Sequence, residues 1–316
     1  MEEKVNIILF GAAGFIGKNL TVELSKNKDN ILTLVDAKKE YFSDILRYKL
    51  DNIIIKEGTF NEKSDFDSLL RGQDIVYHLV STTVPATSNQ CIAQELMANV
   101  ITTVYLLDAC VRCNIKKIIF FSSGGTIYGK DVCCPIKEEA PSYPINSYGL
   151  QKISIEKLFY LYHYMYGLDY RIIRLSNPYG PFQRPNGILG AVSTFTYKAL
   201  KGEEITVYGD GTVIRDFIYI DDAIRAVIKI AEGSKAYRIF NVGCGYGTSI
   251  KTVLDIICST LKKDLKISYK QERKMDVPEN YLDITRYEKC YGKMEAISLK
   301  EGIGKTAAFM KEYYNL

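Results

Sequence analysis

Two residues have the types and the spacing to move a proton together: the phenol and the ammonium of Tyr148-Gly-Leu-Gln-Lys152. Four residues apart on a helix, they share one face. A phenol ionises at about pH 10, too high to act as a base near neutrality, and a cation beside it brings it toward the working range. Such a pair takes a proton from an alcohol while hydride leaves the same carbon. With 24 Tyr in the chain, this spacing means little without a second motif. Gly11-Ala-Ala-Gly14-Phe15-Ile16-Gly17 supplies it, between an apolar run and a helical one. Glycines there permit a tight turn, let backbone approach a pyrophosphate and keep helix close to strand, with the helix N-terminus facing the negative charge. Asp36 lies 19 residues past Gly17, at the end of the next apolar run. A carboxylate at that point bonds ribose hydroxyls and repels a 2′-phosphate. NAD is the expected cofactor, although Lys38 and Lys39 beside Asp36 pull toward NADP.

The elements that must hold these groups alternate. Strand patterns cover Val5–Phe10, Ile31–Val35, Ile53–Ile55, Ile75–Val80, Ile118–Phe121 and Tyr170–Leu175, with helical patterns at Phe15–Ser25, Asp65–Leu70, Ala93–Cys113 and Tyr148–Tyr166. That rhythm predicts an α/β fold, a doubly wound parallel sheet covered by helices on both faces. It breaks at Asn177-Pro-Tyr-Gly-Pro-Phe-Gln-Arg-Pro-Asn-Gly187, where three Pro and two Gly in eleven residues predict a loop or lobe boundary. Residues 1–176 plus about 213–242 are read as one domain, the latter stretch returning to the sheet. Residues of about 177–212 and 243–316, ending in a helix near Leu299–Tyr313, are read as a second lobe.

Composition sets limits on what such a protein does. Hydrophobic residues make up 47% and charged ones 25%, which excludes a disordered chain, a collagen-like one and a small disulfide scaffold. The net charge is +4 and the Lys residues are scattered, so neither nucleic acid nor a membrane surface is an expected partner. The N-terminus does not read as a signal peptide, and no run reaches the roughly 18–20 apolar residues of a membrane span. Eight Cys, with one C-x-x-C at Cys110 and Cys113 and a Cys133–Cys134 pair, accompany only two His. No metal site is expected, and the thiols read as those of a reduced, cytoplasmic protein. His78 and His163 read as structural.

The Gly-x-x-Gly-x-x-Gly spacing, Tyr148 with Lys152, and Phe121-Ser-Ser-Gly-Gly-Thr-Ile-Tyr-Gly129 together resemble the extended short-chain dehydrogenase/reductase family. The likeness is to its nucleotide-sugar epimerase/dehydratase branch and runs over essentially the whole chain. It implies a Rossmann-type NAD-binding domain with a smaller C-terminal α/β lobe for a nucleotide-diphosphosugar. It also implies a homodimer formed through the Ala93–Cys113 and Tyr148–Tyr166 helices, and a place in carbohydrate metabolism such as polysaccharide biosynthesis. The family places a catalytic Ser or Thr four residues before the Tyr of the closing Tyr-Gly. Here that position is Gly124, so Ser123 or Thr126 must supply the hydroxyl, and the sequence leaves both open.

By the same resemblance, Gly11, Gly14, Phe15, Ile16, Gly17, Asp36, Leu79, Val80, Ser81 and Asn99 surround the cofactor with Tyr148 and Lys152. Thr59 and Phe60 stand where the family often has an Asp for adenine. Asn177, Arg215 and Arg273 match substrate-contacting positions, the Arg side chains suiting a diphosphate through their planar forks. Tyr208 is expected to pack on the nucleobase, and Asn280 falls where a Tyr restricts related 4-epimerases to non-acetylated hexoses. Family dehydratases carry Asp-Glu after the catalytic Thr, and decarboxylases a Glu; Gly124 and Gly125 offer no ionisable group. The implied activity is therefore epimerisation at C4 of a UDP-hexose or UDP-N-acetylhexosamine. A 4-ketoreductase or dehydratase of the same branch, and a non-catalytic NAD-binding sensor, are the competing readings.

Overall fold

Seven short runs of branched and aromatic residues assemble into one sheet in the computed structural model, which describes residues 4–185, 190–233, 236–272 and 277–316. Their order across it is Ile53–Glu57, Asn30–Asp36, Val5–Phe10, Ile75–His78, Lys117–Ser123, Tyr170–Leu175, Ile239–Val242. The first five pair in parallel, with Val5 opposite Asn30, Leu32 opposite Ile53, Ile7 opposite Ile75, and Ile75 opposite Lys117. Bonds from Ile118 to Asp169, and from Ile172 to Arg238 and Ser176 to Val242, continue that sense. The chain leaves Val5–Phe10 toward one edge for two strands, then resumes on its other side with Ile75–His78. Ligands of such sheets sit beyond the strand C-termini at this reversal. Gly11 and Leu79 follow the two strands that flank it.

Strands covered on both faces need apolar residues throughout rather than in alternation. Ile8, Leu9, Leu32, Leu34, Ile118, Ile119 and Phe120 are accordingly all fully buried. Helix residues Leu106, Leu107, Ile155 and Phe159 join Ile8, Phe10, Val76 and Phe120 in one core cluster. The Ser147–Tyr166 helix starts where the Asn146 side chain accepts from the Gly149 N–H and stops at Gly167, whose φ is +71°.

The chain divides into two compact units, residues 1–122, 146–173 and 233–239 in one, and residues 123–145, 174–232 and 240–316 in the other. The second has its own core, including Val192, Phe195, Ile205, Val253, Leu254 and Ile303. It also holds a short parallel pair, Asn177–Tyr179 with Phe217–Tyr219, and a three-stranded ladder of Thr248–Ser249, Ile214–Arg215 and Glu279–Asn280.

Two local expectations are revised. The stretch after Asn177 begins as a strand, not a loop, because Pro178 lies in a two-stranded pair where its missing N–H disrupts little. The single helix expected over Ala93–Cys113 is instead Ile92–Leu96, a π turn at Met97–Ile101, and Thr102–Arg112. The apolar spacing carries no trace of that widened turn.

Leu107→Ala would empty a fully buried site in the first core. We expect a loss of about 2–5 kcal/mol, measured as a fall in denaturation midpoint at unchanged m value.

Candidate active site

The glycine turn is built by close approach. Gly11 has φ of +81°, and a Cβ there would lie 3.1 Å from the Val80 nitrogen. A Cβ on Gly17 would lie 2.6 Å from the carbonyl oxygens of both Gly11 and Ala12, so no larger residue fits without lifting the helix off the turn. Asp36 grips the turn from the next strand, its carboxylate accepting from the Ala13 N–H at 3.0 Å and the Ala37 N–H at 2.8 Å. Helix Phe15–Leu24 opens at Gly14 with no side-chain cap and no acidic residue in its first turn. Its free N–H groups are thus left for an anion. Phe15 and Ile16 are half-buried at that end. This bare, glycine-lined helix start beside a carboxylate fits the pyrophosphate and ribose of NAD.

The next strand exit is tied down by Asn99, in the π turn. Its Nδ2 donates to Thr82 Oγ1 at 2.9 Å and Gln151 Oε1 at 2.8 Å, while its Oδ1 accepts from the Thr82 N–H at 2.9 Å. That bond set fixes the segment Leu79-Val80-Ser81, where the Leu79 N–H donates to the Phe10 carbonyl and Ser81 Oγ to the Thr83 carbonyl. Thr59 is exposed, its carbonyl accepting from Ser64 Oγ. The Phe60 ring turns inward, against Phe10, Phe66 and His78.

Tyr148 and Lys152 come together as the helical spacing requires. Lys152 Nζ donates to the Phe121 carbonyl at 2.8 Å and sits 4.8 Å from the Phe120 ring centroid and 5.5 Å from that of Tyr148. Burial pulls the ammonium down to about 8, against the pull of Glu156. His78 is pushed to about 3, first by burial and then by Lys152, so it is neutral; its Nε2 meets Thr103 Oγ1. No proton-transfer role falls to it.

Ser123 ends strand Lys117–Ser123, half-buried, and the Thr126 Oγ1 is buried with no hydrogen-bond partner among the described residues. The glycine between them is explained by packing: a Cβ on Gly124 would meet the Leu282 side chain at 2.5 Å and the Arg174 carbonyl at 3.2 Å. Leu282 is itself fully buried, packed with Ile127, Tyr128 and Ile136.

Three expected substrate residues gather in the second unit. Arg215 pairs in register with Asn280, and its Nη1 donates to the carbonyls of Ile214 at 2.8 Å and Val277 at 2.6 Å. Asn177 donates through Nδ2 to the Asp216 carbonyl at 2.9 Å. Asn280 is 1% exposed, with Nδ2 3.4 Å from the Gly124 carbonyl and Oδ1 unpartnered among the described residues. Tyr208 belongs to a different ladder, opposite Lys270, with its ring partly exposed. Arg273 lies outside the described residues.

The model of the NAD dependent epimerase/dehydratase family matches residues 7–243. The chain belongs to that family. Its cofactor is NAD and its class of activity enzymatic. It is 32% identical to a putative UDP-glucose 4-epimerase of Methanocaldococcus jannaschii, over 96% of this chain and 98% of that one. Among solved structures it resembles the UDP-glucose 4-epimerase of Thermotoga maritima, in complex with UDP-glucose. The TM-score is 0.90 at 32% identity, covering 98% of this chain and 100% of that one. It also resembles a UDP-N-acetylglucosamine 4-epimerase from Methanobrevibacter ruminantium, in complex with UDP-N-acetylmuramic acid, at TM-score 0.90 and 30% identity, covering 98% and 99%.

For a member of this family, two sets of polar residues stand out that spacing did not single out. Gln151, inside the Tyr-x-x-x-Lys motif, donates to Glu95 Oε2 and Ser147 Oγ while accepting from Asn99 and Thr83. It locks the helix of Tyr148 and Lys152 to the π turn. Asp216, wholly buried between Arg215 and Phe217, accepts from the N–H groups of Cys244 at 2.8 Å and Leu282 at 3.3 Å. Burial pushes its carboxyl up to about 6 against those bonds. Its backbone also meets Asn177 and Asn280, so one residue ties together the segments that carry the expected substrate contacts. A polar residue inside a motif otherwise read for its Arg is the only signal in the sequence.

Gly124→Ser restores a hydroxyl at this position, but its Cβ collides with the Leu282 side chain. We expect about 1–3 kcal/mol of destabilisation by overpacking and no gain in turnover, checked by thermal melts and steady-state rates.

Proposed function

We propose that this protein interconverts nucleotide-diphosphosugars by NAD-dependent epimerisation at C4, with a UDP-hexose or UDP-N-acetylhexosamine as substrate. The observation that carries this reading is the pairing of a complete Tyr148–Lys152 couple with a strand-end segment whose Gly124 and Gly125 bear no ionisable group. Dehydration needs an acid and a base there; oxidation and reduction of one carbinol does not. Bound NAD supplies the acceptor and donor of hydride at that carbon.

Gly11, Gly14 and Gly17 receive the pyrophosphate on the helix N-terminus in this reading, and Asp36 orients the adenosine ribose. The buried Lys152 ammonium, 5.5 Å from the Tyr148 ring centroid, is the cation that would favour an ionised phenol there. Tyr148 takes the C4 hydroxyl proton and later returns one to the opposite configuration. Ser123, two residues beyond the carbonyl that anchors Lys152, donates to the same oxygen, with Thr126 as its alternate. Arg215 and Arg273 hold the diphosphate, Asn177 the sugar end and Tyr208 the base. Asn280 is smaller than Tyr, which favours a site that admits an N-acetyl group; a preference of more than about tenfold for UDP-glucose over UDP-N-acetylglucosamine would overturn that point.

A cytoplasmic homodimer completes the proposal. Met97 and Ile101 in the π turn and Tyr105 in the helix that follows recur every four residues, and Leu150, Leu161 and Met165 lie on the neighbouring helix; all six are 37–55% exposed. An apolar row of that kind on two adjacent helices suits burial against its own copy. Among the described residues, no helix is long and apolar enough to cross a membrane.

Incubated with catalytic NAD⁺, UDP-glucose or UDP-N-acetylglucosamine should give a product of unchanged mass with altered H4 couplings by proton NMR. Loss of water or carbon dioxide would refute the argument from Gly124 and Gly125. Ser123→Ala should lower kcat by about 100-fold or more and Thr126→Ala by less than about tenfold, as for one donor to a developing oxyanion. Paired Ile101→Asp and Leu161→Asp changes should convert a dimer to a monomer in sedimentation velocity.

A further inference from the structure

The helix that carries Tyr148 and Lys152 places a third ionisable side chain on the same face, Glu156, one more turn along. Nothing in the proposed reaction uses it. Glu156 is 3% exposed, and Ser122 Oγ donates to its Oε1 at 2.5 Å. Lys152, one turn earlier, is 5% exposed. A charge in such a place is unfavourable unless it is paired and hydrogen-bonded. Among the described residues, the groups that face Lys152 are the Phe121 carbonyl, the rings of Phe120 and Tyr148, and a neutral His78. None of these carries a negative charge; Glu156 acts on the ammonium in its favour.

We propose that Glu156 is a positioning residue for proton transfer, its buried carboxylate serving as the counter-charge that keeps Lys152 an ammonium and thereby keeps Tyr148 acidic. The proposal rests on Tyr148 and Lys152 being the proton-transfer pair. Burial already brings Lys152 down to about 8 with Glu156 in place. Without the carboxylate the ammonium sinks further and loses its proton within the working range, and the phenol reverts toward its ordinary pKa of about 10.

The test is a pH titration of phenolate absorbance in the NAD-loaded enzyme, the Tyr148 component being identified by its absence from Tyr148→Phe. In Glu156→Gln that component should move up by at least about one pH unit. Glu156→Asp keeps the charge and should stay within about half a unit of the native protein. Ser122→Ala removes one hydrogen bond to the carboxylate and should move the component by less than half as much as Glu156→Gln does. In turnover, Glu156→Gln should bring the alkaline limb of kcat down by about one unit, with KM for the nucleotide sugar within about threefold. A Glu156→Gln titration that coincides with the native one would overturn the proposal. So would a shift in Ser122→Ala as large as in Glu156→Gln, which would assign the effect to helix anchoring, or a full unit in Glu156→Asp. Because the titration needs no sugar, its outcome is independent of which nucleotide sugar is turned over.

Discussion

A cation kept away from water is the constraint around which the first unit is organised. Lys152 is buried against the rings of Phe120 and Tyr148, and among the described residues the Phe121 carbonyl accepts from it while Glu156, one turn away, favours its charge. The helix must therefore be held in place, and it is. Gln151 binds it to Glu95 and through Asn99 to the strand exit at Thr82; Ser122 reaches it from the sheet. The hydrogen bond from Ser147 and nearby backbone donors hold the Glu95 carboxyl below its ordinary range, so this lock stays an acceptor. The π turn at Met97–Ile101 belongs to the same arrangement, because Asn99 sits in it with its side chain bonded in several directions.

The second unit applies a comparable rule with opposite charge. Asp216 is wholly buried with backbone N–H groups as its partners, and Gly243 leaves it room, since a Cβ there would clash with the carboxylate. Three chain segments distant in sequence converge on this one residue. Leu282, brought into the same neighbourhood, fills the space beside Gly124 where a Cβ would lie.

Much of this is legible in the order of residues alone. The glycine spacing, the carboxylate at Asp36, the i and i+4 placement of Tyr148 and Lys152, and the alternation of apolar runs are local patterns. They are governed by backbone conformation and by periodicity, which neighbouring residues express on their own. The doubly wound parallel sheet follows from them, and so does membership of a family that uses NAD.

What the tertiary structure decided is which polar groups are buried together. The sequence marks Gln151, Glu156 and Asp216 only as polar residues inside motifs read for their neighbours. Folding removes them from water, and each then needs partners that come from other strands, turns and helices. The inward turn of Phe60, the π turn around Asn99, the strand at Asn177–Tyr179 and the closed space at Gly124 have the same cause. Each depends on contacts between residues far apart in the chain, and no local spacing records those.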